Sequence, residues 1–423
     1  MKCGDKMSVL IIATPLFDDD MTVKAYKLCD HNPEIALDVK GDFREKNQTY
    51  YLPGLDLIQE TGLAPFSGDL PLFVEASRFH LLTCMASNKK LPPERLILIV
   101  SENEEADGKL LIGLEGLREK GYSLAVGGWP SDGADSPLFG YADHIILDYQ
   151  AKQFDRQYRE AKTKLRGKQV IVTGLPDMES YGTFSGSRNT LFGGSFFNNP
   201  VTGGSSEISP LKVNALQLMR QINDEDFDLS TIAKTIERDP SLSISLLRFI
   251  NSAAVGLRQK VDSINSAVAI LGQKEIRRWA TIAISISLSQ DRPSEITKLS
   301  LVRAKFAENL APLFELGIFM NSLFMTGLFS LLDLILKKPM DEAVSEIAVD
   351  NLVREALVDR SGTLFKVLDF IYAYERADWN KVSIIMIQGS IDGERVGHAF
   401  IDALVWYNQL LESIDEIAED GAL

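Results

Sequence analysis

A chain of 423 residues is long enough for two domains, each with its own core. Its formal charge of -15 argues against a nucleic-acid backbone or an anionic membrane as main partner, because both reward basic patches. With 45% hydrophobic and 24% charged residues, and no run of about 18 apolar residues, the composition is that of a soluble globular protein without a membrane span.

The apolar run Val9–Thr14 stops at Pro15, too short for a signal peptide and better suited to a strand. Further β-rich runs follow at Leu72–Val74, Leu96–Val100, Ser123–Val126, His144–Leu147 and Gln169–Val172. Helical sequence lies between some of them, as at Lys109–Lys120 and Tyr149–Arg166. Strand and helix alternating at a pitch of about 20–30 residues predict βα units around a parallel sheet, and six visible strands suit a barrel. The stretch Tyr181–Asn199, rich in Gly, Ser, Asn and Phe, reads as a mobile segment at a barrel mouth or as ordinary loop.

Glycine usage then changes: residues 1–204 hold 21 of the 30 glycines and residues 205–423 hold nine. The small polar stretch Val201–Glu207 is the predicted linker. Beyond it the pattern is helical. Asp228 or Ser230 caps a helix ending near Arg238; Asp239-Pro240 starts another. Ser263 caps a third that ends at Gly272, and Lys274–Leu288 follows. Later helical runs are Ser300–Leu316, Leu323–Leu336, Val349–Leu357, Leu364–Glu375 and Gly397–Ile417. Phe314, Phe319, Phe324 and Phe329 are expected in the core and Asp333 on a helix surface; Arg277-Arg278-Trp279 reads as a core Trp flanked by solvated arginines or as a contact patch. The cysteines, Cys3, Cys29 and Cys84, lack metal-type spacing and read as reduced thiols of a cytoplasmic protein.

The stretch Gly121-Tyr-Ser-Leu-Ala-Val-Gly-Gly-Trp-Pro130 resembles the core of the EAL domain, the cyclic di-GMP phosphodiesterase module, whose members carry Gly-Tyr-x-Ile-Ala-Leu-Asp-Asp-Phe-Gly. The likeness covers about residues 8–200 and implies a TIM-like (β/α) barrel. It places Gly127 and Gly128 at two metal-binding aspartates, Lys27 at the glutamate of the Glu-x-Leu signature and Ile99 at another metal-binding glutamate. Glu75 falls at an asparagine, Ile146 at the catalytic-site lysine, and Thr173 and Pro176 at two expected glutamates. Asp148 is kept. Gly193–Pro200 resembles the family's closing Gln-Gly-Tyr-Phe-Phe-Ser-x-Pro. Glu75, Glu102 and Asp148 are the acids left near strand ends, open to holding one ion or to being solvated or paired with Lys27.

Asp239–Ala253 and Val261–Gly272 resemble the HDOD domain, an all-helical relative of the HD phosphohydrolases, and Phe324–Asp333 and Ile371–Trp379 resemble the extension seen when HDOD follows an EAL-like domain. The combination resembles the YuxH-like EAL–HDOD signalling proteins, with residues 1–200 as barrel, 201–207 as linker and 208–423 as HDOD domain plus extension. HD enzymes hold metal with histidines. The four here are His31, His80, His144 and His398, none between 208 and 397, and Ser330-Leu331 stands at the His-Asp position. The expectation is therefore a non-enzymatic signalling adaptor without metal or cofactor, meeting other signalling proteins, with homodimerisation open. A nucleotide sensor that binds cyclic di-GMP without cleaving it is the second reading, and a weak phosphodiesterase using Glu75, Glu102 and Asp148 the third.

Overall fold

The structure is a computed structural model. It describes residues 9–31, 53–83, 91–130, 132–184, 186–199, 216, 218–222, 227–237, 240–251, 261–288, 294–347 and 349–420. Cys3, Cys84 and the 201–207 linker lie outside the described residues. The chain divides into two compact units, one of residues 1–199 with 372–398, the other of residues 200–371 with 399–423.

In the first unit, eight strands close into a barrel in sequence order. They are β1 (Leu10–Phe17), β2 (Val23–His31), β3 (Leu72–Glu75), β4 (Leu96–Ser101), β5 (Ser123–Gly127), β6 (His144–Asp148), β7 (Gln169–Leu175) and β8 (Thr190–Gly194). The strand β1 is antiparallel to both neighbours, and every other pair is parallel. Parallel strands buried on both faces read as continuous apolar runs, and β4, Leu-Ile-Leu-Ile-Val before its final serine, is the clearest case. Leu16, Ala25, Phe73, Ile97, Ile99, Ala125, Ile146, Ile171 and Leu191 meet inside. The helix Gly108–Glu119 turns Leu110, Leu114 and Leu117 inward, and Asp107 caps it by accepting from the Leu110 N–H at 2.8 Å.

Two strands were invisible to the apolar pattern. The strand β2 carries two lysines and an aspartate in nine residues, and β8 ends in two glycines. The reading of Tyr181–Asn199 as a loop is corrected on this point, since β8 lies inside it. Phe196 and Phe197 are buried at its end, Phe196 stacked on Tyr181 with 4.8 Å between ring centroids. They pack the barrel wall and do not open space for a ligand.

The stretch 372–398 clusters with the barrel, although its sequence continues the helical half. Tyr374 is fully buried; its hydroxyl accepts from the Ile11 N–H at 3.0 Å and donates to the Ile11 carbonyl at 3.0 Å. The helix Trp379–Gly389, capped by Asp378, places the Trp379 ring parallel to the His31 imidazole, centroids 5.5 Å apart.

The second unit is helical. Asp228 accepts from the Thr231 N–H, Ser263 accepts from the Ser266 N–H, and Pro240 opens the helix Pro240–Asn251. The stretch Ile264–Leu288 breaks at Gly272, where φ is 71°, the conformation that favours glycine. The helices Ser294–Leu310, Met320–Phe329 and Leu332–Leu336 begin earlier or break more often than the periodicity implied. Phe324 and Phe329 are buried, whereas Phe314 and Phe319 are only partly so. Asp333 is also buried, at 3% exposure, which corrects its placement on a helix surface. Gly327 lets the helices Ser294–Leu310 and Met320–Phe329 touch, since a Cβ there would lie 2.5 Å from the Arg303 carbonyl oxygen. Gly327→Ala is expected to cost about 2 kcal/mol by overpacking, read as a lower urea midpoint; an unchanged midpoint would show that the helices can part freely.

Candidate functional site at the barrel mouth

The carboxyl ends of the parallel strands form the rim where a β/α barrel does its chemistry. Side chains two apart on a strand share a face, so the inner cluster fixes which rim residues point inward. Lys27 follows Ala25, Glu75 follows Phe73, Gly127 follows Ala125, Asp148 follows Ile146 and Thr173 follows Ile171. By this alternation Lys27, Glu75, Gly127, Asp148 and Thr173 lie on the inner face. Ile99 and Ile146, by contrast, lie below the rim and belong to the apolar interior, at 3% and 5% exposure.

Lys27 puts a cation at the rim. Its side chain is 19% exposed, with Nζ 3.7 Å from Glu75 Oε1 and 3.9 Å from Cys29 Sγ. Coulombic attraction to Cys29, then to Glu75 and Asp30, raises its pKa against the opposing effect of burial. Burial raises Glu102 above the ordinary carboxylate range, and the charge of Glu75 adds to this. The Glu102 carboxylate fills the place that a side chain at Gly128 would take, and Gly128 itself has φ 96°. Gly127 faces Ile99, whose methyl would lie 2.7 Å from a Cβ there. Asp148 accepts from the Gln150 N–H at 2.9 Å, and the Thr173 hydroxyl donates to the Leu147 carbonyl at 3.2 Å. Burial also raises Asp30, which accepts from the Gly54 N–H at 2.6 Å.

The pair of divalent cations implied by the EAL resemblance needs several oxygen donors per ion. Among the described residues, no group of three or more His, Cys, Asp or Glu side chains is placed to share one ion.

In the helical unit, Ser330 is buried; its hydroxyl accepts from Arg303 Nη1 at 3.0 Å and donates to the Gly327 carbonyl at 2.6 Å. Leu331 is 3% exposed. Arg278 makes a two-pronged ion pair with Glu308 at 2.6 and 2.8 Å, and Lys305 joins at 2.8 Å. Arg277 lies over the Phe227 ring. The arginines beside Trp279 are thus engaged in contacts, which corrects their placement in solvent.

Residues 208–360 match the HDOD domain family. The chain is 27% identical over 319 residues to the cyclic di-GMP phosphodiesterase CdgJ of Vibrio cholerae, covering 75% of this chain and 74% of that protein. It is likewise 27% identical over 337 residues to YuxH of Bacillus subtilis, covering 76% of this chain and 80% of YuxH. The chain is an EAL–HDOD signalling protein. A solved EAL domain protein from Listeria monocytogenes superposes with a TM-score of 0.33 at 13% identity, covering 45% of this chain and 88% of that one. The relative in Vibrio cholerae overturns the expectation of a non-enzyme: a protein matched over three quarters of this chain is named a phosphodiesterase, which points to an enzyme. Among the described residues no helix is long and apolar enough to cross a membrane.

Sequence reasoning passed over Cys29, Asp30 and the His31–Trp379 stack. The first two were legible in principle, because β2 alternation places Cys29 on the face of Lys27; the stack joins residues too far apart in sequence to show.

Proposed function

We propose that this EAL–HDOD protein acts in cyclic di-GMP signalling, its barrel mouth engaging the dinucleotide and its surface engaging other signalling proteins. The observation that carries the reading is Lys27, an ammonium group held on the inner face of the mouth, where it offers a charged donor to a phosphate. The relative named for cyclic di-GMP supports the choice of ligand.

Calorimetry with cyclic di-GMP tests this directly. A charge-assisted hydrogen bond contributes about 1.5–3 kcal/mol, so Lys27→Ala is expected to weaken binding by roughly 10- to 100-fold. Absence of heat with the unaltered protein at high micromolar ligand would end the reading. The same samples, chromatographed for the linear dinucleotide, report turnover.

Contact with protein partners draws support from the neighbouring helices Arg78–Leu82 and Gly108–Glu119, which expose Phe79 at 60%, Leu82 at 39% and Ile112 at 76%. Large exposed apolar groups gathered in one place mark interaction surfaces. Replacing Phe79 and Ile112 together by serine is expected to abolish capture of a partner that the unaltered chain retains, with the melting temperature unchanged. Equal capture by both proteins would remove this surface from consideration.

A further inference from the structure

We propose that Cys29 and Lys27 form a peroxide-driven, thiol-reversible sulfur–nitrogen cross-link inside the barrel mouth. The geometry is local. Both side chains leave β2 on the inner face, two residues apart, and Nζ stands 3.9 Å from Sγ. Cys29 carries no disulfide and is partly exposed, so a small oxidant reaches it, while the lysine is held in place at 19% exposure. The thiolate form of a cysteine is the one that peroxide attacks.

The chemistry balances. The thiolate sulfur attacks one oxygen of hydrogen peroxide; the O–O bond breaks, sulfur loses an electron pair to the peroxide, and the departing hydroxide takes a proton to become water. Cys29 is now a sulfenic acid, the first rung of cysteine oxidation. The ammonium of Lys27 loses a proton to water, and the free amine nitrogen, held beside Sγ, attacks the sulfenic sulfur. An N–S bond forms, the S–O bond breaks, and the hydroxide leaves with a nitrogen proton as a second water. An added thiol reverses the link by attacking sulfur and releasing the amine, and a second thiol then frees Cys29. While it lasts, the link removes the charge of Lys27 on which the proposed phosphate contact depends, and with it the Lys27–Glu75 ion pair.

The test is peptide mapping of the full chain, which reads the bond itself and so stands apart from any ligand affinity. After hydrogen peroxide, Cys29 is expected to resist both iodoacetamide and dimedone, and Lys27 to resist trypsin and amine acetylation; dithiothreitol should restore all of these. Lys27→Arg should keep the oxidation, now trapped by dimedone, and lose the link. The proposal is overturned if Cys29 of the unaltered chain is trapped by dimedone while Lys27 remains acetylated as before, if Cys29 pairs instead with Cys3 or Cys84, or if it does not react.

Discussion

Tyr374→Phe is expected to destabilise the barrel unit by about 3 kcal/mol, since each orphaned buried polar group costs about 1–3 kcal/mol. One hydroxyl serves both the N–H and the carbonyl of Ile11, and phenylalanine keeps the ring but abandons both. The reason lies in the barrel seam. The described pairing of β8 with β1 is at Phe17↔Phe192, well away from Ile11. Burial pushes the phenol above its ordinary pKa. The Trp379 ring, 5.4 Å from Tyr374, gives a fluorescence signal close to the lesion. A urea transition at the unaltered midpoint would show that Ile11 finds other partners.

Glu308→Ala is expected to cost the helical unit about 3 kcal/mol, the lower end of the range for breaking a buried pair, because Arg278 and Lys305 remain about a quarter exposed and recover some hydration. Burial alone would raise the Glu308 carboxyl, but the hydrogen bonds from Arg278 and Lys305 outweigh it and hold the group below its ordinary value of 4.5. A carboxylate lowered in the folded state stabilises fully above its unfolded pKa and loses that contribution as pH falls through the folded value. Stability of the unaltered protein should therefore decline below about pH 4.5 more steeply than that of Glu308→Ala. Parallel pH profiles of the two proteins would refute this account of the cluster.

Much of the barrel was legible because buried parallel strands write themselves as aliphatic runs. Leu96–Val100 and Gln169–Val172 needed no partner to be seen. Lys27, Gly127 and Asp148 were singled out by the EAL resemblance; alternation along the strands, once the strands are known, puts them on the inner face. What escaped has physical causes. The strand β2 is polar at the mouth, so its periodicity has no apolar signal, and β8 ends in glycines that usually announce a turn. Asp333 looked solvated because burial of an aspartate depends on neighbours that its own segment does not reveal. Glycine at position 128 was read only as a missing ligand, yet its positive φ and the Glu102 carboxylate packed on it show a backbone role as well. The error about catalysis had the same root: absent side chains at matched positions say what a site does not share with its relatives, and a named relative weighs against reading that as inertness.

The barrel unit draws on two separated stretches of polypeptide, and this bears on how it is made and how it is cut. A ribosome that has delivered the eighth strand still has about 180 residues to add before Tyr374 exists. Until then the Ile11 groups of the first strand lack their hydroxyl partner. An expression fragment stopped after the eighth strand would repeat that unfinished state permanently, whereas supplying residues 372–398 in trans or by circular permutation should complete it.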